Sequence, residues 1–92
     1  MQPRVVWDPE KAEQNLRKHG ITFEEAQTVF RDPLAVSVPD PRHSAVELRE
    51  ITIGWSEERR LLIVSYTRRG VAFRIISARM ARRHERRNHE RR

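Results

Sequence analysis

The sequence has no cysteine, only three glycines, two lysines and no long apolar run. The lack of cysteine excludes disulfides and thiolate metal sites. The glycines are too few and too scattered to form a loop that binds nucleotide phosphates or a dinucleotide. No apolar stretch approaches the roughly 20 residues needed to cross a bilayer, and no signal-peptide pattern is present. We therefore expect a soluble intracellular protein.

The chain length of 92 residues allows one thin hydrophobic core. Hydrophobic residues make up 37% and charged residues 35%, which is typical of a compact domain with a polar surface rather than of a disordered chain. No linker and no internal repeat divides the sequence. We expect a single domain over residues 1–92, with a basic end that frays from about residue 86.

The net charge of +6 comes almost entirely from arginine, because seventeen of the nineteen basic residues are Arg. A guanidinium group binds phosphate or carboxylate through two parallel hydrogen bonds and stacks on bases. This composition predicts a partner that is RNA, DNA or an acidic protein. A membrane is a poorer candidate, because the basic end of the chain has almost no apolar face to insert.

Two helices are predicted near the N-terminus. Asp8 before a proline is a strong helix start, and Gly20 is a left-handed stop after residues 9–19. Thr22 begins a capping-box pattern for a second helix, which ends at the dipeptide that contains Pro33. Since one glycine separates the two helices, we expect a tight helical hairpin.

Most of the remaining chain alternates between apolar and polar residues, as strands do. The predicted strands cover residues 4–7, 34–38, 48–55, 61–67 and 71–78. Residues 39–43 are predicted to form a loop, because their two prolines cannot join a ladder. An arginine-rich helix is predicted after Ala78. The order β-α-α-β-β-β-β-α predicts an α+β fold in which helices cover one face of an antiparallel sheet.

The basic C-terminal stretch has two open interpretations. A helix that begins near residue 79 would align five charged side chains in one stripe, namely Arg79, Arg82, Arg83, Arg86 and Glu90. This stripe is either a solvated chain end or an electrostatic surface for RNA phosphates. The stretch alone does not distinguish RNA from an acidic protein partner.

The common catalytic and metal-binding patterns are missing from the sequence. There is no G-x-S-x-G motif for a serine nucleophile and no H-E-x-x-H zinc motif. His84 and His89 are five residues apart, so they do not share a helix face as two metal ligands would. We predict no metal and no cofactor.

Arg74 is the most informative residue of the predicted sheet, because it interrupts an otherwise apolar strand. Strict alternation places it on one face with Ala72, Ile76 and Ala78. A structural arginine at this position would need a carboxylate partner, for which the candidates are Glu50, Asp32 and Asp40. Without such a partner, Arg74 would be retained because it faces a ligand.

Arg49 interrupts another predicted strand and Arg79 ends the last one, so these two residues could join Arg74 in a cup that binds a phosphate. Such a cup suits RNA cleavage without metal, in which the ribose 2′-OH attacks the adjacent phosphate. The reaction also needs a proton carrier. His43, in the proline-rich loop, is either a plain surface residue or this carrier. Lys18 and His19, at the end of the first predicted helix, are a second choice for this chemistry. Their alternative role is in packing or capping that helix.

The most specific motifs of the sequence extend over nearly its whole length. They are W-D-x-x-K-x-x-x-N-x-x-K-H-G from Trp7, V-F-x-D-P from Val29, and R-I-I-S-A-R from Arg74. Together with PDPRHS and ITIGWS, they resemble the BrnT family of toxins from Trp7 to about Arg87. The resemblance implies a RelE-like fold and a ribonuclease that arrests translation in the bacterial cytoplasm.

The resemblance also implies a partner, a BrnA-like antitoxin of the ribbon-helix-helix class. Such an antitoxin neutralises the toxin in a hetero-oligomer, and this complex binds operator DNA. The family pattern falls on fourteen positions: Trp7, Asp8, Lys11, Asn15, Lys18, His19, Asp32, Pro33, Asp40, His43, Arg49, Arg74, Ser77 and Arg79. Where relatives have a tyrosine near the end of the last helix, this sequence has Asn88 or His89.

We assign the site residues as follows. The predicted catalytic residues are His43, Arg49, Arg74 and Arg79, and the predicted RNA-binding residues are Lys18, His19, Arg82, Arg83 and Arg86. A basic module that binds RNA or an acidic protein without cutting is the main alternative. A dedicated DNA-binding regulator is a weaker one, because the two helices do not form a helix-turn-helix pattern.

Overall fold

The computed structural model describes residues 4–40 and 48–91. The strands are β1 (Arg4–Trp7), β2 (Val36–Pro39), β3 (Arg49–Trp55), β4 (Leu61–Arg69) and β5 (Ala72–Met80). The helices are α1 (Pro9–His19), α2 (Phe23–Gln27), a 3₁₀ helix (Thr28–Arg31) and α3 (Arg83–Glu90). Among these described residues, no helix is long and apolar enough to cross a membrane.

The five strands form one sheet in the order β1-β5-β4-β3-β2. The strands from β2 to β5 pair in antiparallel fashion, as predicted, and the most apolar strand, β4, lies at the centre. The prediction of a wholly antiparallel sheet was wrong, because β1 runs parallel to β5. No hairpin connects these two strands, so no local turn signal indicates their relative direction. The predicted α+β class is confirmed.

The predicted helix ends are confirmed where the signal is local. The Asp8 side chain accepts a hydrogen bond from the Glu10 amide at 2.9 Å, and Gly20 ends α1 with φ of 71°. Thr22 accepts from the Glu25 amide at 3.0 Å and so caps α2. The second helix is shorter than predicted, since it becomes a 3₁₀ turn at Thr28.

Two predicted boundaries were wrong for physical reasons. Pro39 was assigned to a loop, but it ends β2 opposite Glu50. Because β2 is an edge strand, a missing amide proton on its outer side breaks no ladder. The last strand continues to Met80, so α3 begins at Arg83 instead of near residue 79 and remains helical to Glu90. The predicted loop residues 41–43 lie outside the described residues.

The hydrophobic core lies between the sheet and the helices α1 and α2. It consists of Ile21, Phe23, Ala26, Val29, Leu62, Val64, Tyr66, Ile75 and Ala78. Trp7 contacts Phe23 edge-to-face, with ring centroids 6.0 Å apart. Gly54 lets the chain that precedes β2 approach β3, because a Cβ at this position would lie 2.9 Å from the Ala35 Cβ. This packing leaves the opposite face of the sheet available for α3 and for a site.

Candidate functional site

The sheet face opposite α1 and α2, here called the second face, holds both Arg74 and Arg79. Residues five apart in a regular strand point to opposite sides, but the ladder between β4 and β5 shifts its register between Ser65 and Tyr66. Strict alternation was therefore wrong for this strand. Ala78 is fully buried in the helix-side core, and it does not share a face with Arg74.

Arg49, Thr67 and Arg74 form a cross-strand row on the second face, here called the basic row. Arg49 lies opposite Thr67 in the β3–β4 ladder, and Thr67 lies opposite Arg74 in the β4–β5 ladder. Directly opposed residues have Cβ atoms about 5 Å apart. The Thr67 hydroxyl is buried and has no hydrogen-bond partner within the described part of the chain. The row therefore presents two guanidinium groups on either side of a polar atom.

Arg74 differs from the other half-buried arginines in its contacts. Arg60 binds Glu25, Arg79 binds Glu85 and Arg86 lies near Glu90. Across residues 4–40 and 48–91, by contrast, no hydrogen bond or ion pair involves Arg74. A half-buried charge without a carboxylate partner is costly, and its retention favours contact with an anionic ligand.

Two of the carboxylates that could have neutralised Arg74 are bound elsewhere. Glu50 accepts from the Tyr66 hydroxyl at 2.8 Å and from Arg68 at 3.1 Å, on the helix side of the sheet. Burial raises the pKa of Glu50, but the hydrogen bonds from Arg68 and Tyr66 outweigh it and lower the pKa. The Asp32 side chain accepts from the Trp55 amide at 2.8 Å and thus holds the backbone. A purely structural role for Arg74 would need a carboxylate partner, and the described residues provide none.

Arg79 lies on the second face but is bound to Glu85. Its two terminal nitrogens each donate to one carboxylate oxygen of Glu85 at 2.8 Å. Glu85 also accepts from the Arg82 amide at 2.8 Å, so it caps α3. The hydrogen bonds from Arg79 hold the pKa of Glu85 at about 2. The guanidinium of Arg79 therefore ties α3 to β5, and only part of it remains available to a ligand.

A cleft of about 220 Å³ lies between α1 and the part of β5 that extends beyond β1. We call it the α1 cleft, and it is lined by Lys11, Gln14, Asn15, Lys18, His19, Ile76 and Ser77. Lys18 is exposed and His19 is half-buried. Ser77 pairs with Ser65, which precedes Thr67 by two residues on β4. The α1 cleft and the basic row therefore share the same stretch of β5, although the cleft is on the α1 side of the sheet and the row is on the second face.

Asn15 at the base of the α1 cleft takes the place of a strand partner. Its side-chain amide donates to the Ala78 carbonyl at 2.8 Å and to the Ile21 carbonyl at 3.0 Å. Its carbonyl oxygen accepts from the Ala78 amide at 3.0 Å. Because β1 ends at Trp7, opposite Ile75, these bonds satisfy β5 backbone groups that β1 does not reach. The motif asparagine is thus a structural latch.

The predicted arginine stripe of the C-terminal stretch does not exist as one helix face, because Arg79 belongs to β5. Arg82 is the N-cap of α3, and Arg82 and Arg83 are both exposed. The Arg86 guanidinium lies 5.1 Å from the centre of the Trp55 ring, so this residue docks α3 on β3. Of the remaining predicted site residues, His43 lies outside the described residues.

The described residues hold no cluster of three or more His, Asp or Glu side chains that could bind a metal ion. His84 is exposed at the start of α3, whereas His89 is buried near its end. The basic groups that the structure brings together are instead those of the basic row and the α1 cleft.

Acid is expected to release α3 from the sheet. The folded pKa of Glu85, about 2, lies below its ordinary value of 4.5, so its stabilising contribution is complete above about pH 4.5 and falls as pH drops toward 2. The groups that face Glu85 are Arg79, the Arg82 amide and His84, and they favour the ionised carboxylate. Tryptophan fluorescence, recorded from pH 6 to 2, should change in this window, because Arg86 of α3 lies against the Trp55 ring.

The matched control for this titration is Glu85→Gln, which cannot ionise at position 85. It should lose the part of the fluorescence change that depends on pH between about 4.5 and 2, and it should loosen α3 already at neutral pH. Parallel titration curves for the two proteins would contradict a role of Glu85 in docking α3.

Comparison with known proteins decides the family. The profile of the family described as "Ribonuclease toxin, BrnT, of type II toxin-antitoxin system" matches residues 7–85. The chain belongs to the BrnT family. The family predicted from the sequence motifs is confirmed, and so is the class of ribonuclease toxins. Membership of a type II toxin-antitoxin system implies an antitoxin partner and an RNA substrate.

The crystal structure of the Brucella abortus ribonuclease toxin BrnT, at 1.1 Å resolution, has the same fold. The match has a TM-score of 0.69 and covers 88% of this chain and 99% of the Brucella chain, with 24% sequence identity. No curated protein matches this BrnT chain. The likeness confirms the α+β fold, with a five-stranded sheet and helices packed on it.

Proposed function

We propose that this BrnT protein cleaves RNA without a metal ion, by attack of a ribose 2′-OH on the adjacent phosphorus. The new bond joins O2′ to phosphorus and the bond from phosphorus to O5′ breaks, which leaves a 2′,3′-cyclic phosphate and a 5′-hydroxyl. One protein group accepts the proton from the 2′-OH, and another donates a proton to O5′. In the bacterial cytoplasm this cleavage would arrest translation.

The contacts of Arg74 carry this proposal. A guanidinium without a carboxylate partner can bind two phosphate oxygens and stabilise the negative charge of the pentacoordinate transition state. Arg49, at the β3 end of the basic row, would contact the phosphate from the other side of Thr67. The Thr67 hydroxyl, buried between them, would donate to a phosphate oxygen and gain the partner that it lacks among the described residues.

The α1 cleft would hold the neighbouring part of the RNA chain. Lys18 and His19 line it and lie beside Ser77, which is next to the basic row along β5. Lys18 would bind an adjacent phosphate as a point charge. His43 remains the predicted proton carrier, and His19 is the second candidate because it lines the cleft where the substrate would enter.

The cations around α3 would extend the phosphate-binding surface. Arg82 and Arg83 are exposed at the start of this helix and would attract RNA through long-range charge. Arg79 and Arg86 hold α3 on the sheet, through Glu85 and Trp55, so we propose that they position this surface. Each phosphate bound would steepen the fall of log K with log salt by about one.

The antitoxin, in this proposal, is a BrnA-like protein of the ribbon-helix-helix class. It would neutralise the toxin in a hetero-oligomer and would carry the operator DNA contacts itself. Membership of a type II toxin-antitoxin family supports the existence of the partner. The excess of arginine supports an acidic contact surface on it.

The reaction type is tested with a short DNA oligonucleotide that contains a single ribonucleotide. We expect cleavage only after the ribonucleotide, with a 2′,3′-cyclic phosphate on the 5′ fragment, because the nucleophile belongs to the substrate. The rate should change less than about twofold when EDTA is added, since no step uses a metal ion as a Lewis acid. Mass spectrometry identifies the fragment ends.

A fragment with a plain 3′-hydroxyl, or complete loss of cleavage in EDTA, would contradict this mechanism. The control is an oligonucleotide of the same sequence made entirely of deoxyribonucleotides, which should bind but remain intact. If the protein binds both strands with a steep salt dependence and cuts neither, the alternative of a non-catalytic basic module is correct.

A further inference from the structure

Two clefts flank α3 on the second face of the sheet, and they share His89. The larger, about 330 Å³, is lined by Leu34, Trp55, His89 and Glu90. The other, about 220 Å³, is lined by Val36, Val38, Ile51, Ile53, Ile63, Glu85, Asn88 and His89. We call them together the α3 clefts. The cleft that borders β2 to β4 has a mostly aliphatic lining, unlike the α1 cleft.

The α3 clefts expose apolar surface that the fold itself leaves uncovered. Val38 is 46% exposed and Leu34 is 70% exposed. His89, between the two clefts, is 8% exposed, and its Nδ1 atom is buried without a hydrogen-bond partner in residues 4–40 and 48–91. Contiguous exposed apolar side chains around an unsatisfied polar atom mark a surface that binds another molecule.

The helix α3, here called the rim of the α3 clefts, is strongly basic, and the two carboxylates among the lining residues, Glu85 and Glu90, already face Arg79 and Arg86. Exposed arginines precede, follow and lie on α3, namely Arg82, Arg83, Arg87 and Arg91. A ligand that fits both the aliphatic lining and the rim must combine apolar side chains with carboxylates. A short amphipathic segment of an acidic protein has this chemistry.

We propose that the α3 clefts are the docking surface for the antitoxin, which seats apolar side chains of an acidic segment beside α3. Its carboxylates would contact the arginines of the rim, and one polar group would satisfy His89. This inference rests on the proposed function in one respect: it assumes that the partner is the antitoxin of a type II toxin-antitoxin system, the kind of system to which the family belongs.

The position of the α3 clefts explains how such a partner would stop RNA cleavage. Ile51 is on the second face of β3, two residues from Arg49 of the basic row. Residues two apart in a strand are about 7 Å apart, which is less than the width of a polypeptide segment with its side chains. A segment in the α3 clefts therefore covers or abuts the basic row and excludes the phosphate from it.

RNA is a poorer occupant of the same surface. Single-stranded bases bind proteins mainly by stacking on aromatic side chains, and the cleft that borders β2 to β4 has none. In the other cleft, one face of the Trp55 ring is already occupied by Arg86, at 5.1 Å. Aliphatic side chains around a groove are instead the usual anchor sites for an apolar protein segment.

The decisive comparison uses two variants of equal exposure, Val38→Glu and Leu16→Glu. Val38 is 46% exposed in an α3 cleft, and Leu16 is 47% exposed on α1, outside the described clefts. The probe is the antitoxin polypeptide of the same system, titrated into each toxin variant by calorimetry. Val38→Glu should weaken binding about tenfold or more, as at the centre of an interface, and Leu16→Glu less than about twofold.

Equal affinity of Val38→Glu and the unaltered toxin, or an equal loss in both variants, would overturn the proposal. A loss of RNA binding by Val38→Glu with unchanged antitoxin affinity would assign the clefts to RNA and overturn it as well. Thermal melts identify a variant that fails to fold. Hydrogen exchange on the unaltered toxin then decides, because bound antitoxin must protect β2 and α3 more than α1.

The same experiments separate this inference from the proposed catalytic function. Antitoxin affinity is measured without RNA, so it tests the docking surface even if the protein proves not to cut RNA. A toxin that cleaves RNA as proposed, yet binds its antitoxin away from the α3 clefts, would overturn the inference alone.

Discussion

Arg74→Ala is expected to slow RNA cleavage about 10²- to 10³-fold. In other enzymes, removal of one hydrogen-bond donor that stabilises a developing negative charge has an effect of this size. The half-buried guanidinium makes no ion pair with the described residues, so its removal leaves no carboxylate unpaired. The free energy of unfolding should therefore change by less than about 1 kcal/mol, through lost packing of the side-chain stem. Single-turnover cleavage of a labelled RNA and urea denaturation measure the two effects.

The matched control for charge is Arg31→Ala. This residue pairs with Glu57 at the surface, 2.9 Å away, so the variant loses the same net charge without touching the second face. It should cleave RNA within about twofold of the unaltered rate, because exposed ion pairs contribute little. Arg74→Lys should recover only part of the activity, since an ammonium cannot bind two phosphate oxygens in parallel.

In bacteria, the same variants separate catalysis from folding. Expression of Arg74→Ala without antitoxin should no longer arrest growth, whereas expression of Arg31→Ala should. If a folded Arg74→Ala protein still cleaves RNA and arrests growth at the original rate, Arg74 is not part of the site, and the phosphate must be bound elsewhere.

Asn15→Ala is expected to lower the free energy of unfolding by about 3 kcal/mol. The change removes three buried hydrogen bonds and leaves the amide and carbonyl of Ala78 and the carbonyl of Ile21 without their partner. Each buried polar group that loses its partner costs about 1–3 kcal/mol, and a cavity adds to this. Urea denaturation followed by tryptophan fluorescence measures the effect.

Gln14→Ala is the matched control, because Gln14 lines the same cleft but is exposed. It should change stability by less than about 0.5 kcal/mol. Asn15→Asp should be as harmful as Asn15→Ala, since a carboxylate would face two carbonyl oxygens. An Asn15→Ala protein with unchanged stability but no RNA cleavage would show that Asn15 is catalytic and not a latch.

Most of the secondary structure could be predicted because its signals are local. Asp8, Gly20 and Thr22 act on amides or backbone angles within a few residues, so their roles follow from their neighbours in sequence. The errors lie where distant segments meet. The direction of β1 and the tolerance of Pro39 depend on which strand lies beside each of them, and no local pattern encodes that.

The candidate site was predicted only in part for the same reason. Charge and the family motif indicated the residue types, and two of the predicted residues, Arg49 and Arg74, lie in one row. Arg79 was assigned the same role, but a glutamate six residues later binds it. The α3 clefts were missed altogether. A signal for them was present in the alternating apolar residues of β2 and β3, namely Val36, Val38, Ile51 and Ile53. This signal indicates a second apolar face only if α1 and α2 are first assigned to the other side of the sheet.

The sequence by itself determined the helix caps, most strand positions, the excess of arginine and the BrnT motifs, because each of these depends on composition or on residues near in the chain. The tertiary structure decided which arginines are neutralised. Glu25 meets Arg60 across 35 residues of sequence and Glu50 meets Arg68 across 18, whereas the described residues supply no carboxylate to Arg74. Charge pairing acts through space over a few ångströms, so only the register of the sheet, with its bulge in the β4–β5 ladder, could decide which guanidinium groups meet a carboxylate.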